Sequence, residues 1–117
     1  MISDTTDLDE VGFDVQTRHV ILLDDANCHN IKGIKIALQL GADINYVQPD
    51  MGVAALHIAV ANNDIVLCRF LIEECGAKFF PDRFGRWPTL IAAECQVDDA
   101  LSDYIVEQEA RYLEQTK

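Results

Sequence analysis

Apolar residues recur at helical spacing in three stretches of the chain, each bracketed by residues that start and stop helices. Ile31, Ile34, Leu38 and Leu40 run up to Gly41. Ile65, Val66, Leu71 and Ile72 follow Asp64 and end before Gly76. Beyond Asp98, Leu101, Tyr104, Ile105 and Tyr112 share one side while Ser102, Asp103, Glu107, Glu109 and Glu114 occupy others. An aspartate can cap the free N–H groups of a first turn, and glycine can take the left-handed backbone that closes a last one. These signals predict helices over residues 30–40, from 64 to 76, and onward from 98. A shorter helix should precede each: at about 17–26, after Ala54, and from Pro88, whose missing N–H would be unpaired in a first turn anyway.

The same arrangement returns at a fixed interval. Two turns, Asp50-Met51-Gly52 and Asp82-Arg83-Phe84-Gly85, place their glycines 33 residues apart. After the first comes Ala54-Ala55-Leu56-His57-Ile58-Ala59, and after the second Trp87-Pro88-Thr89-Leu90-Ile91-Ala92-Ala93. Upstream, the first long helix ends in Gly41-Ala42-Asp43-Ile44-Asn45, and the second in Gly76-Ala77-Lys78. A unit of this length built from two short helices cannot bury its own apolar side and must stack on neighbours.

These segments resemble the ankyrin repeat. Leu56-His57-Ile58-Ala59 matches the end of the family's Thr-Pro-Leu-His-x-Ala without its Thr and Pro, Pro88 keeps the Pro, and Gly41-Ala42-Asp43 is the family's full ending. The segment from Asp82 to Thr89 resembles those of small bacterial ankyrin proteins. The resemblance implies an all-α fold, an ankyrin-repeat solenoid of about three helix-turn-helix units with short hairpin-like finger loops. The units fall at about 17–49, 50–81 and 82–115, within a repeat domain spanning 17–117. The last is expected to be a cap with a polar outer face. For His57 the resemblance implies a structural hydrogen bond between adjacent loops.

A 117-residue chain that is 50% apolar is long enough for one domain with a core. No apolar stretch approaches the length needed to cross a bilayer, and the first nine residues have neither a basic start nor an apolar core of the kind that directs export. A cytoplasmic, monomeric protein is expected. Residues 1–16, with Asp4, Asp7, Asp9, Glu10 and Asp14 and no base, are expected to form a flexible acidic segment. Cys28, Cys68, Cys75 and Cys95 match no zinc or redox spacing, so four buried free thiols are expected, Cys95 in the core, with no metal and no cofactor. The formal net charge of −11 disfavours nucleic acid, and the clustered acids read either as solvated faces that keep a small protein soluble or as a surface that steers in a basic protein partner.

No catalytic constellation emerges. His19, His29 and His57 are dispersed, and no nucleophile elbow, phosphate-cradling glycine loop or zinc-protease motif is present, so an enzyme is not expected. Binding fits better. In ankyrin arrays the turns between units project as fingers that, with the shorter helices, line a concave groove. Here the fingers are rich in aromatic residues and arginine, the types that dominate interface energies. Tyr46, Gln48, Asp50, Met51, Phe80, Arg83 and Trp87 are the candidate partner-binding residues. Of Phe79, Phe80 and Trp87, at least one should instead plug the core, Trp87 first among them. The leading expectation is a non-catalytic module that binds and inhibits a basic protein partner, in the manner of an immunity protein or antitoxin. The alternative is a general adaptor or regulatory subunit without an inhibitory role.

Overall fold

The computed structural model describes residues 15–116, and among these every regular element is helical. The acidic segment expected to be flexible lies almost wholly outside the described residues. Six helices follow in order: α1 (Val15–Asn27), α2 (Ile31–Gln39), α3 (Ala55–Ala61), α4 (Ile65–Arg69, continued by a π-helical turn, Phe70–Glu74), α5 (Pro88–Glu94) and α6 (Asp99–Gln115). α1 packs on α2 and α5 on α6, while α3 sits between α1 and α5 and carries α4 on its other side. The chain is therefore a row of three antiparallel helix pairs whose first helices stack directly on one another.

Each pair closes through the same turn. His29, Asn63 and Gln96 adopt left-handed φ values of 58°, 58° and 52°. Their N–H groups donate to Ala26, Val60 and Ala93 three residues back, and those of Asn30, Asp64 and Val97 donate five residues back, to Asp25, Ala59 and Ala92. This pair of bonds satisfies the carbonyls at the end of a helix. The next helix is then capped by a side chain in two of the three: Asn30 accepts from Gly33 N–H at 3.1 Å, and Asp64 from Leu67 N–H at 3.1 Å.

The π-helical turn in α4 has a countable cause. Asn30 and Gly41 bracket α2, Asp64 and Gly76 bracket α4, and the second interval is one residue longer. An extra residue in a helix with fixed ends widens one turn. Cys75 N–H accordingly reaches back five residues to Phe70 O, at 3.2 Å, and Gly76 still closes the helix at φ 67°.

One apolar core runs through all three pairs. Leu22, Ile34, Leu56, Leu67, Leu71, Leu101 and Ile105 are fully buried in it. Each such side chain contributes on the order of 1.5–3 kcal/mol relative to exposure. Helical periodicity overstated some positions. Val66, on the side of α4 toward Ile31 and Lys35, is 57% exposed, and Ile72, on another side beside Gln108 and Tyr112 of α6, is only half-buried. Cys28 and Cys95, expected to be buried, are exposed, since each follows the last turn of its helix, α1 and α5, rather than lying within the buried side. The last pair is not wholly polar outside either: Leu90, Val106 and Leu113 are 44%, 48% and 42% exposed.

Candidate interaction surface

Two loops, between α2 and α3 and between α4 and α5, are built by hydrogen bonds that leave little freedom. In the first, Gln48 N–H donates to Val53 O and Gly52 N–H to Gln48 O, both at 2.8 Å, making a narrow hairpin-like finger. The Gln48 side chain is spent inside it: its Oε1 accepts from Met51 N–H at 2.6 Å and its amide donates to Asp50 at 3.3 Å. In the second, Asp82 organises everything. Its Oδ1 accepts from Phe84 N–H and Arg86 N–H and its Oδ2 from Arg86 Nε, all at 2.9 Å, with the carboxylate fully buried. Burial opposes ionisation, but the backbone N–H groups of Arg86 and Phe84 and the Arg86 guanidinium outweigh it and hold the carboxyl below the usual range.

The fingers lie against each other. Arg83 N–H donates to Met51 O at 3.0 Å, and Arg83 Nη1 to Asp50 O at 2.8 Å. Below them, Lys78 N–H donates to Asn45 Oδ1 at 2.8 Å. Contact is so close that a methyl group on Gly52 would come 2.6 Å from Arg83 N, and Gly52 also sits at φ 71°. Glycine is required there for both reasons.

His57 locks the second finger to α3. At the third position of α3 it reaches back, its Nδ1 accepting from Ala54 N–H at 3.0 Å, as a glutamate would in a capping box. Its other nitrogen must then carry the proton, and it donates to Phe80 O at 2.9 Å. The ring is buried, and burial keeps its pKa below the ordinary value. A second histidine does related work in the first pair: buried His19 accepts from Asp43 N–H at 3.0 Å and stacks on Tyr46 with ring centres 4.0 Å apart.

The residues singled out from the sequence thus divide. Asp50, Met51 and Arg83 are brought together at the outer end of the paired fingers, all exposed. Gln48 turns inward to brace its own turn. Tyr46 is half-buried over His19, Phe80 is half-buried with its ring 5.3 Å from His57, and Trp87 is half-buried against the core as the residue before α5. The aromatic plug is Phe79, 4% exposed and packed on Tyr112, rather than Trp87. The most exposed large apolar side chain is Phe84, at 62%, with Val47 also at 40%. Neither was among the candidates, although Phe84 and Met51 each immediately precede a turn glycine, and that position is the tip.

Beside the fingers, α3 and α5 enclose a shallow groove of about 150 Å³ lined by Val53, Ile58, Ala61, Ile91 and Cys95, with Arg86 at its edge. Arg86 is held there by Asp82 and by Glu94, at 3.3 Å, and its guanidinium lies 5.5 Å from the Phe84 ring. Among the described residues no group of three metal-ligating side chains converges, and no helix is long and apolar enough to cross a membrane.

No family model matches the chain. It is similar to I-Kappa-B like protein H1 of Microplitis demolitor bracovirus, 30% identical over 96 residues that cover 82% of this chain. The chain spans about half of that relative, 49% of its length. It is also similar to oxysterol-binding protein homolog 1 of Saccharomyces cerevisiae, 31% identical over 61 residues, 52% of this chain but 5% of the yeast protein. In so long a protein, a shared segment of that size is a module rather than the whole.

Proposed function

We propose that the chain is an ankyrin-repeat module that binds a protein partner through its paired fingers and the adjoining groove, without catalysing a reaction. Support for the solenoid comes from the three matching inter-helix turns, from a hydrogen bond between finger positions that the Gly52–Gly85 spacing makes equivalent, Arg83 to Asp50, and from similarity to an I-kappa-B like protein. The observation that carries the binding site is the exposure of Met51 and Phe84, 43% and 62%, on loops whose backbones are held rigid. Exposed apolar side chains on preorganised loops lose little entropy when covered. Arg83 and Arg86 beside them supply polar anchors.

The partner is a basic protein, steered by the excess of carboxylates, and covering a functional surface on it would inhibit it. A stoichiometric blocker fits a rigid binding surface better than an adaptor does, because the fingers and groove form one continuous face. Affinity capture from the native cell, followed by titration of the recovered protein against wild type and Met51→Ala/Phe84→Ala, tests the reading. The double variant should lose at least about tenfold in affinity, about 1.4 kcal/mol, with its helical spectrum unchanged. Undiminished binding would move the site elsewhere.

A further inference from the structure

The outer flank of the last helix pair carries a second apolar surface, formed by α5 and α6 rather than by the finger loops. On α6, Tyr104 faces α4, its hydroxyl donating to Glu73 at 2.6 Å and its ring lying 4.8 Å from the Arg69 guanidinium. Val106 lies about 200° further round the helix, on the opposite flank, and Leu113 falls two turns later on the same stripe. Between them Glu109 accepts from Thr89 N–H at 3.0 Å, which brings the start of α5, and with it Leu90, alongside. Leu90, Val106 and Leu113 thus lie around the Thr89–Glu109 contact, each more than two-fifths exposed.

Charge decides what could cover this flank. Asp103, Glu107 and Glu114 recur at helical spacing beside the Val106–Leu113 stripe, all exposed. Arg111 pairs with Glu107 at 2.8 Å and is the only base in the helix, whereas Asp103 and Glu114 have no ion pair among the described residues. Glu94, one turn beyond Leu90 on α5, is also exposed and pairs with Arg86 at 3.3 Å. A second copy docking by the same flank would set these acid rows against each other. The chain's own first fourteen residues, with five acids and no base, would be repelled in the same way.

We propose that this flank receives a basic amphipathic helix from a partner protein, its apolar residues at i, i+3, i+4 and i+7 seated on Leu90, Val106 and Leu113 and its lysines or arginines meeting Asp103, Glu107 and Glu114. An apolar helix stripe laid in an apolar seat gives the affinity, and the flanking charges give orientation and encounter rate. Val106 and Leu113 lie on α6, whereas Met51 and Phe84 lie on the finger loops, so substitutions at one pair test the flank without changing the other.

The probe is a synthetic helical peptide of roughly eighteen residues with a leucine stripe and lysine flanks, compared with a peptide of equal charge lacking the leucines. Anisotropy on the full chain should give binding of the leucine peptide at least about tenfold tighter than the control. Val106→Asp/Leu113→Asp should lose that margin even though it adds negative charge, and the milder Val106→Ser/Leu113→Ser should weaken binding with the helical spectrum intact. Asp103→Lys/Glu114→Lys should lose about tenfold as well, while Met51→Ala/Phe84→Ala should bind as wild type does. Equal binding of the two peptides, or by Val106→Ser/Leu113→Ser, overturns the proposal because diffuse charge then suffices. Loss in the finger variant overturns it by moving the peptide to the fingers. A concentration-dependent dimer abolished by Val106→Ser/Leu113→Ser overturns it in favour of a second copy.

Discussion

His57 donates to the carbonyl oxygen of Phe80, 23 residues further along the chain, while accepting from Ala54 N–H on its own helix. One neutral imidazole therefore joins two consecutive helix pairs. Both bonds exist together only in the uncharged tautomer, because a protonated Nδ1 would face the Ala54 N–H donor to donor.

The pH dependence follows from that. His57 is held below its ordinary pKa by burial, so the folded state resists protonation while the unfolded chain takes a proton near pH 6.5. Its contribution is fully present above that pH and is lost as pH falls from about 6.5 toward the lower folded value. Urea midpoints measured between pH 7.5 and 5 should decline over this window, and His57→Gln should flatten the decline. A slope that the substitution leaves untouched would assign the titration to another group.

Gly52→Ala should be destabilising by about 2–4 kcal/mol, since the methyl group meets the Arg83 backbone and the residue must hold a left-handed φ. Gly85→Ala is the internal control. It shares the left-handed backbone, at φ 79°, but nothing lies within 4 Å of the added atom, so only the conformational part, about 1–2 kcal/mol, should appear. Equal melting temperatures for the two variants would mean that the fingers separate in solution.

Leu56→Ala and Ile105→Ala should each cost about 2–5 kcal/mol by denaturant titration, because both side chains are almost completely buried between pairs. Ile72→Ala should cost less, about 1–2 kcal/mol, since its half-exposed side chain loses fewer contacts. An Ile72 effect as large as the other two would place α6 more tightly over α4 than described.

Association with the proposed basic partner should be salt-dependent and dissociation much less so. Carboxylates steer encounter over about a Debye length, roughly 8 Å at physiological ionic strength, whereas in the proposed binding mode apolar and arginine contacts at the fingers would set the residence time. Raising salt should slow binding several-fold in stopped-flow measurements, and Arg83→Ala should mainly speed release. An association rate indifferent to salt would remove the case for a basic target.

Signals acting over a few residues were legible in the sequence, because capping and chain reversal are local chemistry. Asp64 as a cap, Pro88 as a first-turn residue, Gly41 and Gly76 as helix ends and the 33-residue spacing of Gly52 and Gly85 all lie in unbroken stretches of chain, whereas Asn30, placed within a helix by its spacing, proved to be a cap. The bonding of His57 to the next loop followed only from the ankyrin resemblance, and its partner, Phe80, was not legible at all. What tertiary structure decided was which side of each element is covered, and that depends on residues some 30 positions away. It buried Phe79 against Tyr112 while leaving Trp87 half-covered, folded Gln48 into its own turn, stacked Tyr46 on His19 and left Phe84 uncovered. It also left Cys95 at the surface and Val106 and Leu113 bare on the outer flank of α6, because periodicity specifies a helix and its apolar stripe but not whether another helix arrives to cover it.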